Sequence, residues 1–363
     1  MYDYVIIGSG LFGSVFAHEA AKQGKRCLVV EKRNHIGGNC HTEQKEGVTI
    51  HTYGAHIFHT SNEEVWNYLC GFCKFNTFVN SPVANWHGSL FNLPFNMNTF
   101  YQLWGVVTPA QAEQELARQR VPNANPRNLE EQALSLAGKD IYEKLIKAYT
   151  EKQWGRACTL LPASIIKRVP FRMRFDNNYF NDPHQGIPTE GYTSLIRNLL
   201  DGSELALGED YNKDREKWDA MGKTVLYTGM LDALFDYRLG ELDYRSEKFD
   251  TKRYEEENHQ GVAVMNYTSM DEAYTRSIEH KHFLSEKSPV TFVSYEYPAD
   301  YRETGEPYYP VSDEKNLALY ARYRAMALEK PGLLFGGRLA EYAYYDMDKT
   351  VGSALNLVKK VLG

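Results

Sequence analysis

The chain has no long apolar run, no cationic surplus and few cysteines. No segment reaches the roughly 18 uninterrupted apolar residues of a membrane helix, and the mean hydropathy is −0.52, so no membrane span is expected. With 41 Lys and Arg against 47 Asp and Glu the formal net charge is −6. Such a chain lacks the charge to neutralise a phosphate polymer, and a nucleic-acid partner is not expected. A basic leader followed by a cleavable apolar stretch is also missing: Tyr2-Asp3-Tyr4-Val5-Ile6-Ile7 reads at once as a strand, which points to the cytoplasm. The 5 cysteines are odd in number and scattered, which does not suit a secreted disulfide framework. Cys70-Gly71-Phe72-Cys73 has C-x-x-C spacing, but no second pair completes a zinc site, and the motif follows a helix-like stretch, Glu63 to Leu69, instead of opening one. We read both as structural thiols. His56 with His59, and His280 with His282, lack acidic or cysteine partners at ligand spacing, so no metal is expected.

Aromatic residues, by contrast, are plentiful: 26 Tyr, 17 Phe and 5 Trp serve cores and are compatible with a stacking site for a ring-bearing ligand. The first thirty residues carry the clearest pattern. Tyr4 to Ile7 is a short β-branched run, Gly8-Ser9-Gly10-Leu11-Phe12-Gly13 follows, and Ser14 to Gln23 is helix-compatible before Gly24. Lys25 to Val30 then reads as a buried strand ending in Glu31, with Lys32 behind it. This strand, glycine loop, helix, strand and acid unit is a dinucleotide fingerprint in its required context. Gly8 serves the turn, Gly10 the approach of a pyrophosphate, and Gly13 the close packing of helix on strand. The helix N-terminus then faces the phosphates, and Glu31 accepts from an adenosine ribose.

Further glycine loops indicate which dinucleotide. Gly37-Gly38-Asn39 lies just beyond Glu31, Thr228-Gly229 ends another buried run from Val225, and Leu333-Leu334-Phe335 leads into Gly336-Gly337-Arg338. A nicotinamide domain is usually contiguous, whereas this pattern returns to the ligand some three hundred residues later. That favours FAD over NAD. The expected architecture is α/β, with a discontinuous FAD-binding Rossmann-like domain from residues 1–76, 203–240 and 328–363. A helical domain is expected over 98–165, where Asn128 with Glu131 and Asp140 with Glu143 form candidate cap pairs. Pro162 and Pro170 bracket a stretch that reads as a mobile loop over 162–178. An antiparallel sheet domain is expected from 77–97, 179–202 and 241–327, with strand-like alternation at Val262 to Tyr267, Glu279 to Leu284 and Val290 to Tyr297.

Several longer strings resemble those of the prokaryotic UDP-galactopyranose mutases along essentially the whole chain. They include Tyr53-Gly54-Ala55-His56-Ile57-Phe58-His59-Thr60, Asn92-Leu93-Pro94-Phe95-Asn96-Met97, Tyr149-Thr150-Glu151-Lys152-Gln153-Trp154, Tyr274-Thr275-Arg276 and Glu306-Pro307-Tyr308-Tyr309-Pro310. The resemblance implies a cytoplasmic, dimeric flavoprotein that interconverts UDP-galactopyranose and UDP-galactofuranose for cell-surface polysaccharide. It implies N5 of reduced FAD (FADH−) as the nucleophile at the anomeric carbon, kept reduced by NAD(P)H or another reductant. It further implies that Arg168 and Arg276 grip the diphosphate, that Tyr179, Tyr309 and Tyr344 bond phosphates or line the site, and that Tyr149 stacks on uracil beside Thr150. Trp154, His59 and Asn80 are placed near the sugar, Arg245 and Asp346 near the site, and His56 at the flavin. An amine-oxidase-like FAD oxidoreductase shares the same cofactor motifs and is the alternative.

Overall fold

The computed structural model describes residues 1–166 and 171–363. Arg168, with the middle of the loop expected over 162–178, lies outside the described residues.

The N-terminal fingerprint folds as its composition dictates. Strand β1 (Tyr2–Ile7), helix α1 (Leu11–Lys22) and strand β2 (Cys27–Glu31) follow one another, and β1 pairs with β2 in parallel register. Val5, Ile6, Val29 and Val30 are almost fully buried because parallel strands are covered on both faces, which is why they read as unbroken apolar runs. Three further parallel strands complete a five-stranded sheet. Gly222–Tyr227 and then Leu333–Phe335 lie beyond β1, and Glu204–Leu207 lies beyond β2. One face is covered by α1, Tyr192–Leu199 and Met347–Leu362 around Phe16, Val15, Leu195 and Val351. The opposite face is closed by Tyr211, Trp218, Leu231 and Tyr323. Tyr192–Leu199 comes from the stretch 179–202 that we expected with the antiparallel sheet, yet its apolar face joins the core of this layer.

The second sheet has seven strands in the order Tyr309–Pro310, Tyr244–Tyr254, Thr291–Asp300, Arg276–Glu279, Val264–Tyr267, Val83–Trp86 and Ser89–Asn92. All its pairings are antiparallel except that of Val264–Tyr267 with Val83–Trp86, which is parallel. The strand expected over Glu279 to Leu284 instead starts at Arg276 and stops at Glu279, and His280–Phe283 forms a 3-10 turn. The turn is stabilised by Lys281, whose buried Nζ donates to the carbonyls of Glu257, Ser288 and Val290. Three carbonyls satisfy an ammonium that would otherwise be costly to bury.

Beside the seven-stranded sheet, Met97–Trp104, Pro109–Gln119 and Leu129–Ala137 enclose a separate core of Phe100, Leu116, Leu129, Ile141 and Tyr142. Asn128 caps its helix through the Glu131 N–H, as its position predicts. Asp140 does not cap: its carboxylate accepts from Trp104 Nε1 and Gln119 Nε2, both at 2.8 Å. A half-buried indole in need of an acceptor outcompetes the local cap.

Phe16 is fully buried and meets Tyr4 edge-on at 5.1 Å between ring centroids. Replacing it with Ala removes the side chain that keys α1 onto the sheet and should cost about 3–5 kcal/mol. A clear drop in melting temperature of the purified variant is the expected result.

Candidate active site

The glycine loop, β2 and the C-terminal turn line one cleft. Its walls carry Gly8, Gly10, Leu11, Phe12, Gly13, Glu31, Lys32, Gly37, Gly38, Asn39, Thr228, Gly229, Gly337 and Arg338. Gly336 is not among the lining residues; it packs on the Phe12 ring, where a Cβ would collide. At Gly13 a Cβ would strike the Gly8 carbonyl, so only glycine lets α1 approach β1. At Gly10, by contrast, a Cβ would meet nothing within 4 Å, because the backbone borders open space. No side chain caps α1, so its first N–H groups remain available to an anion. Glu31 is buried, accepts from Ser9 N–H and Oγ–H at 3.0 and 2.7 Å, and receives the Arg33 N–H at 3.0 Å. These donors hold a carboxylate in place to accept from a ribose. The residues present therefore fit a bound dinucleotide.

A second cavity opens beside the first, and Asn39, His56, Tyr308, Arg338 and Met347 line both. Its remaining wall contains His59, Asn80, Tyr149, Tyr179, Glu247, Asn266, Arg276, Tyr309, Tyr344 and Asp346. Arg276 projects from the seven-stranded sheet and holds Glu296 with Nε at 2.9 Å and Nη2 at 2.7 and 2.8 Å. Its side chain is 25% exposed and that of Glu296 is 0% exposed. Burial opposes the Arg276 charge, but the Glu296 carboxylate overcomes this and drives the guanidinium pKa above its usual value. Among the described residues, Arg276 Nη1 has no hydrogen-bond partner, which leaves a donor edge for a ligand.

Tyr309 and Tyr344 stack at 5.2 Å, with the Arg338 guanidinium 5.6 Å from the Tyr309 ring centre. Burial raises the pKa of both phenols, so they are O–H donors at neutral pH. The His56 ring nitrogen Nδ1 lies 2.8 Å from the Gly54 carbonyl. Burial pushes His56 down to about 4, against the opposing pull of that carbonyl, so its imidazole is neutral at pH 7. His59 stacks flat on Phe180 at 3.7 Å, with Nδ1 2.6 Å from Asp182 Oδ2. Asp346 precedes the last helix without its side chain capping it.

Thr150, Trp154 and Arg245 do not line the cavity. Trp154 packs on the helical core, and Arg245 donates from Nε to the Gln153 carbonyl at 3.2 Å, closing the end of the helix that carries Tyr149. The sequence reading missed Asp182, Glu247, Asn266, Tyr308 and Met347. Glu247 had no local signal: Arg245, two residues back on the same strand face, does not line the cavity, and cross-strand register is what places Glu247 there.

Fold and site together define a dinucleotide-binding α/β protein with an adjoining cavity suited to an anionic ligand. Comparison with known proteins sharpens that class. A family described as UDP-galactopyranose mutase matches residues 144–344, and one described as an NAD(P)-binding Rossmann-like domain matches residues 6–71. The chain is 38% identical to a Klebsiella pneumoniae protein named "Probable UDP-galactopyranose mutase", across 99% of this chain and 94% of that one. It is 36% identical to the dTDP-fucopyranose mutase of Escherichia coli, across 98% and 97%. Against the UDP-galactopyranose mutase of Mycoplasma pneumoniae the identity is 32%, across 99% and 96%. A crystal structure of reduced UDP-galactopyranose mutase superposes with a TM-score of 0.75 at 13% identity, covering 100% of this chain and 96% of that one. A putrescine oxidase shares the fold at a TM-score of 0.57 and 12% identity, covering 99% of each chain. The chain belongs to the UDP-galactopyranose mutase family, and it is an enzyme of the isomerase class. The cradle and these flavoenzyme neighbours support a flavin cofactor.

Gly10→Val would fill the open space beside the glycine loop. The variant should purify with less than about a tenth of the wild-type flavin, a loss on the scale of a few kcal/mol of binding, while its far-ultraviolet circular dichroism is unchanged.

Proposed function

We propose that this enzyme interconverts UDP-galactopyranose and UDP-galactofuranose, in the cytoplasm and as a homodimer, supplying the furanose for surface polysaccharide. The observation that carries this reading is Arg276: a guanidinium set in the wall of a cavity that opens, at His56 and Arg338, onto the dinucleotide cradle. The anomeric diphosphate is already a good leaving group, so the reaction needs no metal and no acid pair as in a glycosidase. Reduced FAD in the cradle, maintained by NAD(P)H or another reductant, would supply N5 as the nucleophile at the anomeric carbon.

The chain's own residues position and stabilise. Arg276 binds the diphosphate with charge-assisted hydrogen bonds, stronger in a partly dry wall than in water, and family likeness assigns the same task to Arg168. Tyr179, Tyr309 and Tyr344 donate hydroxyls to the phosphates, and Tyr149 stacks on the base. His56, being neutral, adds no cation beside a flavin that carries negative charge when reduced. His59, steered by Asp182, and Asn80 address the sugar hydroxyls.

A second substrate, a dTDP-linked 6-deoxyhexose, is favoured by the Escherichia coli relative, whose identity is nearly that of the Klebsiella protein. The test incubates dithionite-reduced enzyme with UDP-galactofuranose and, in parallel, with dTDP-fucofuranose, and separates the pyranose by chromatography. Pyranose formed from the UDP sugar only after reduction is the expected outcome. A higher kcat/KM for the dTDP sugar would shift the substrate assignment, and peroxide made without added reductant would mean an amine-oxidase-like enzyme.

Arg276→Ala should lower kcat/KM by about two to three orders of magnitude, or about 3–4 kcal/mol. Steady-state kinetics of the flavin-loaded variant checks this.

A further inference from the structure

Next to Arg276 the seven-stranded sheet carries a second carboxyl group that the proposed chemistry leaves unused. Glu247 and Glu296 lie on adjacent antiparallel strands. Phe249 is directly opposite Glu296 in register, so Glu247 is the diagonal neighbour on the same face. The two glutamates are 6% and 0% exposed. Among the described residues, Arg276 engages Glu296 alone, through three hydrogen bonds. The Glu247 carboxyl is within hydrogen-bonding reach of Glu296, accepts from Gln153 Nε2 at 3.3 Å, and forms part of the cavity wall. Two ionised carboxylates beside one guanidinium would leave a net negative charge buried in the wall, which a low-polarity setting opposes.

We propose that Glu247 is a positioning residue for the diphosphate site: it holds a proton at neutral pH, so that the Arg276–Glu296 pair is electrically balanced and the free edge of Arg276 serves the anionic ligand. The inference rests on the diphosphate reading of Arg276 given above. Once Glu247 ionises, the wall gains a negative charge and repels the phosphates. Burial, reinforced by the Glu296 charge and only partly offset by Arg276, pushes Glu247 up to about 8. The neutral form is therefore the one populated at pH 7, and anion affinity is lost as pH rises through that value.

Among the described residues, Tyr53 and Glu306 share the wall of a neighbouring shallow cavity with Glu247, and further charged and titratable groups face it from the surrounding elements. Glu296 and Arg276 come from the neighbouring strands, Tyr308 and Tyr309 from the edge strand and its approach, Tyr149 from the helix Ala148–Trp154, and Tyr344 from the C-terminal turn; Arg245 and Lys248 share its own strand. Tyr149, Tyr308, Tyr309 and Tyr344 are all raised by burial above the ordinary phenol value and keep their protons in this range. Lys152, which burial lowers to about 8, titrates in the same window. It sits behind the cavity wall, bonded to the carbonyls of Tyr267, Glu272 and Tyr274.

The test is calorimetric titration of UDP into the oxidised, flavin-loaded enzyme from about pH 7 to about pH 9, above the terminal phosphate's second ionisation and below that of the uracil N3–H, where a group near 8 changes state; Glu247→Gln in parallel corrects for any residual ionisation of the nucleotide. Wild-type affinity should fall by about tenfold across this range, the size of one added charge a few ångströms away in a partly screened wall. Glu247→Gln should bind UDP with no such fall. A pH-independent wild type overturns the proposal, and so does a Glu247→Gln profile with the wild-type alkaline loss, which transfers the titration to another group such as Lys152. Arg276→Ala separates the layers. If it weakens UDP binding while the Glu247 outcomes fail, only this inference falls; undiminished binding overturns the diphosphate reading and this inference together. Infrared spectroscopy of the wild type needs no variant to fold: absence of a protonated, buried carboxylic acid band at neutral pH overturns the proposal, and a band that vanishes at alkaline pH and is missing from Glu247→Gln, which sets it apart from the buried Asp232, supports it.

Discussion

The site depends on one electrostatic constraint, the burial of a guanidinium in the wall of a cavity. An unpaired arginine there would cost several kcal/mol of lost solvation. Glu296, fully buried on the next strand, removes that cost by a bidentate bond that fixes the orientation of Arg276 as well as its charge. Orientation matters because a flexible cation would have to be ordered again each time a ligand bound. The sheet supplies the rigidity: Arg276 pairs with Glu296 in the backbone register too, so the two side chains are neighbours by construction.

The same logic extends outward. Lys152 ties the helix carrying Tyr149 to the loop that leads into Arg276, by donating to the carbonyls of Tyr267, Glu272 and Tyr274 at 2.8 to 3.2 Å. The helical layer and the sheet layer are thus joined beside the cavity by this ammonium together with the bonds of Gln153 to Arg245 and Glu247. On the other side, Arg338 donates to the carbonyls of Tyr308 and Tyr345, joining the dinucleotide layer to the edge of the sheet. Each cation bonds backbone atoms across a layer boundary and thereby sets the width of the cavity. The aromatic wall then packs against a frame that is already fixed.

What could be read from sequence was what is local. The glycine loop, α1, Glu31 and the later Gly-Gly-Arg turn were legible because turn geometry and helix dipoles act over a few residues, and the cleft gathers them except for Gly336, which packs on Phe12. Asn128 was legible for the same reason. Asp140 was not, since a tertiary partner, the Trp104 indole, decides its role. His280 and His282 were assigned to a strand because the residues around them alternate, whereas the buried ammonium of Lys281 turns the chain there. Glu247 and Asn266 reach the cavity through cross-strand register, and Asp182 acts on it through His59, more than a hundred residues away; a sequence without its pairings does not display these. Family resemblance carried the tyrosines and Arg276, which no spacing would have singled out.

The wall chemistry also bears on what kind of ligand the second cavity accepts. Its donors are a guanidinium and phenols whose protons burial secures, and its histidine nearest the cradle is neutral at pH 7. An amine substrate would arrive as a cation and meet two guanidiniums, Arg276 and Arg338, with the Glu296 carboxylate already spent on the first and Asp346 the one aspartate in the wall among the described residues. An anionic nucleotide sugar meets a free guanidinium edge and hydroxyl donors. The fold is shared with a putrescine oxidase, so the direction of charge in the wall, and not the architecture, separates the two chemistries.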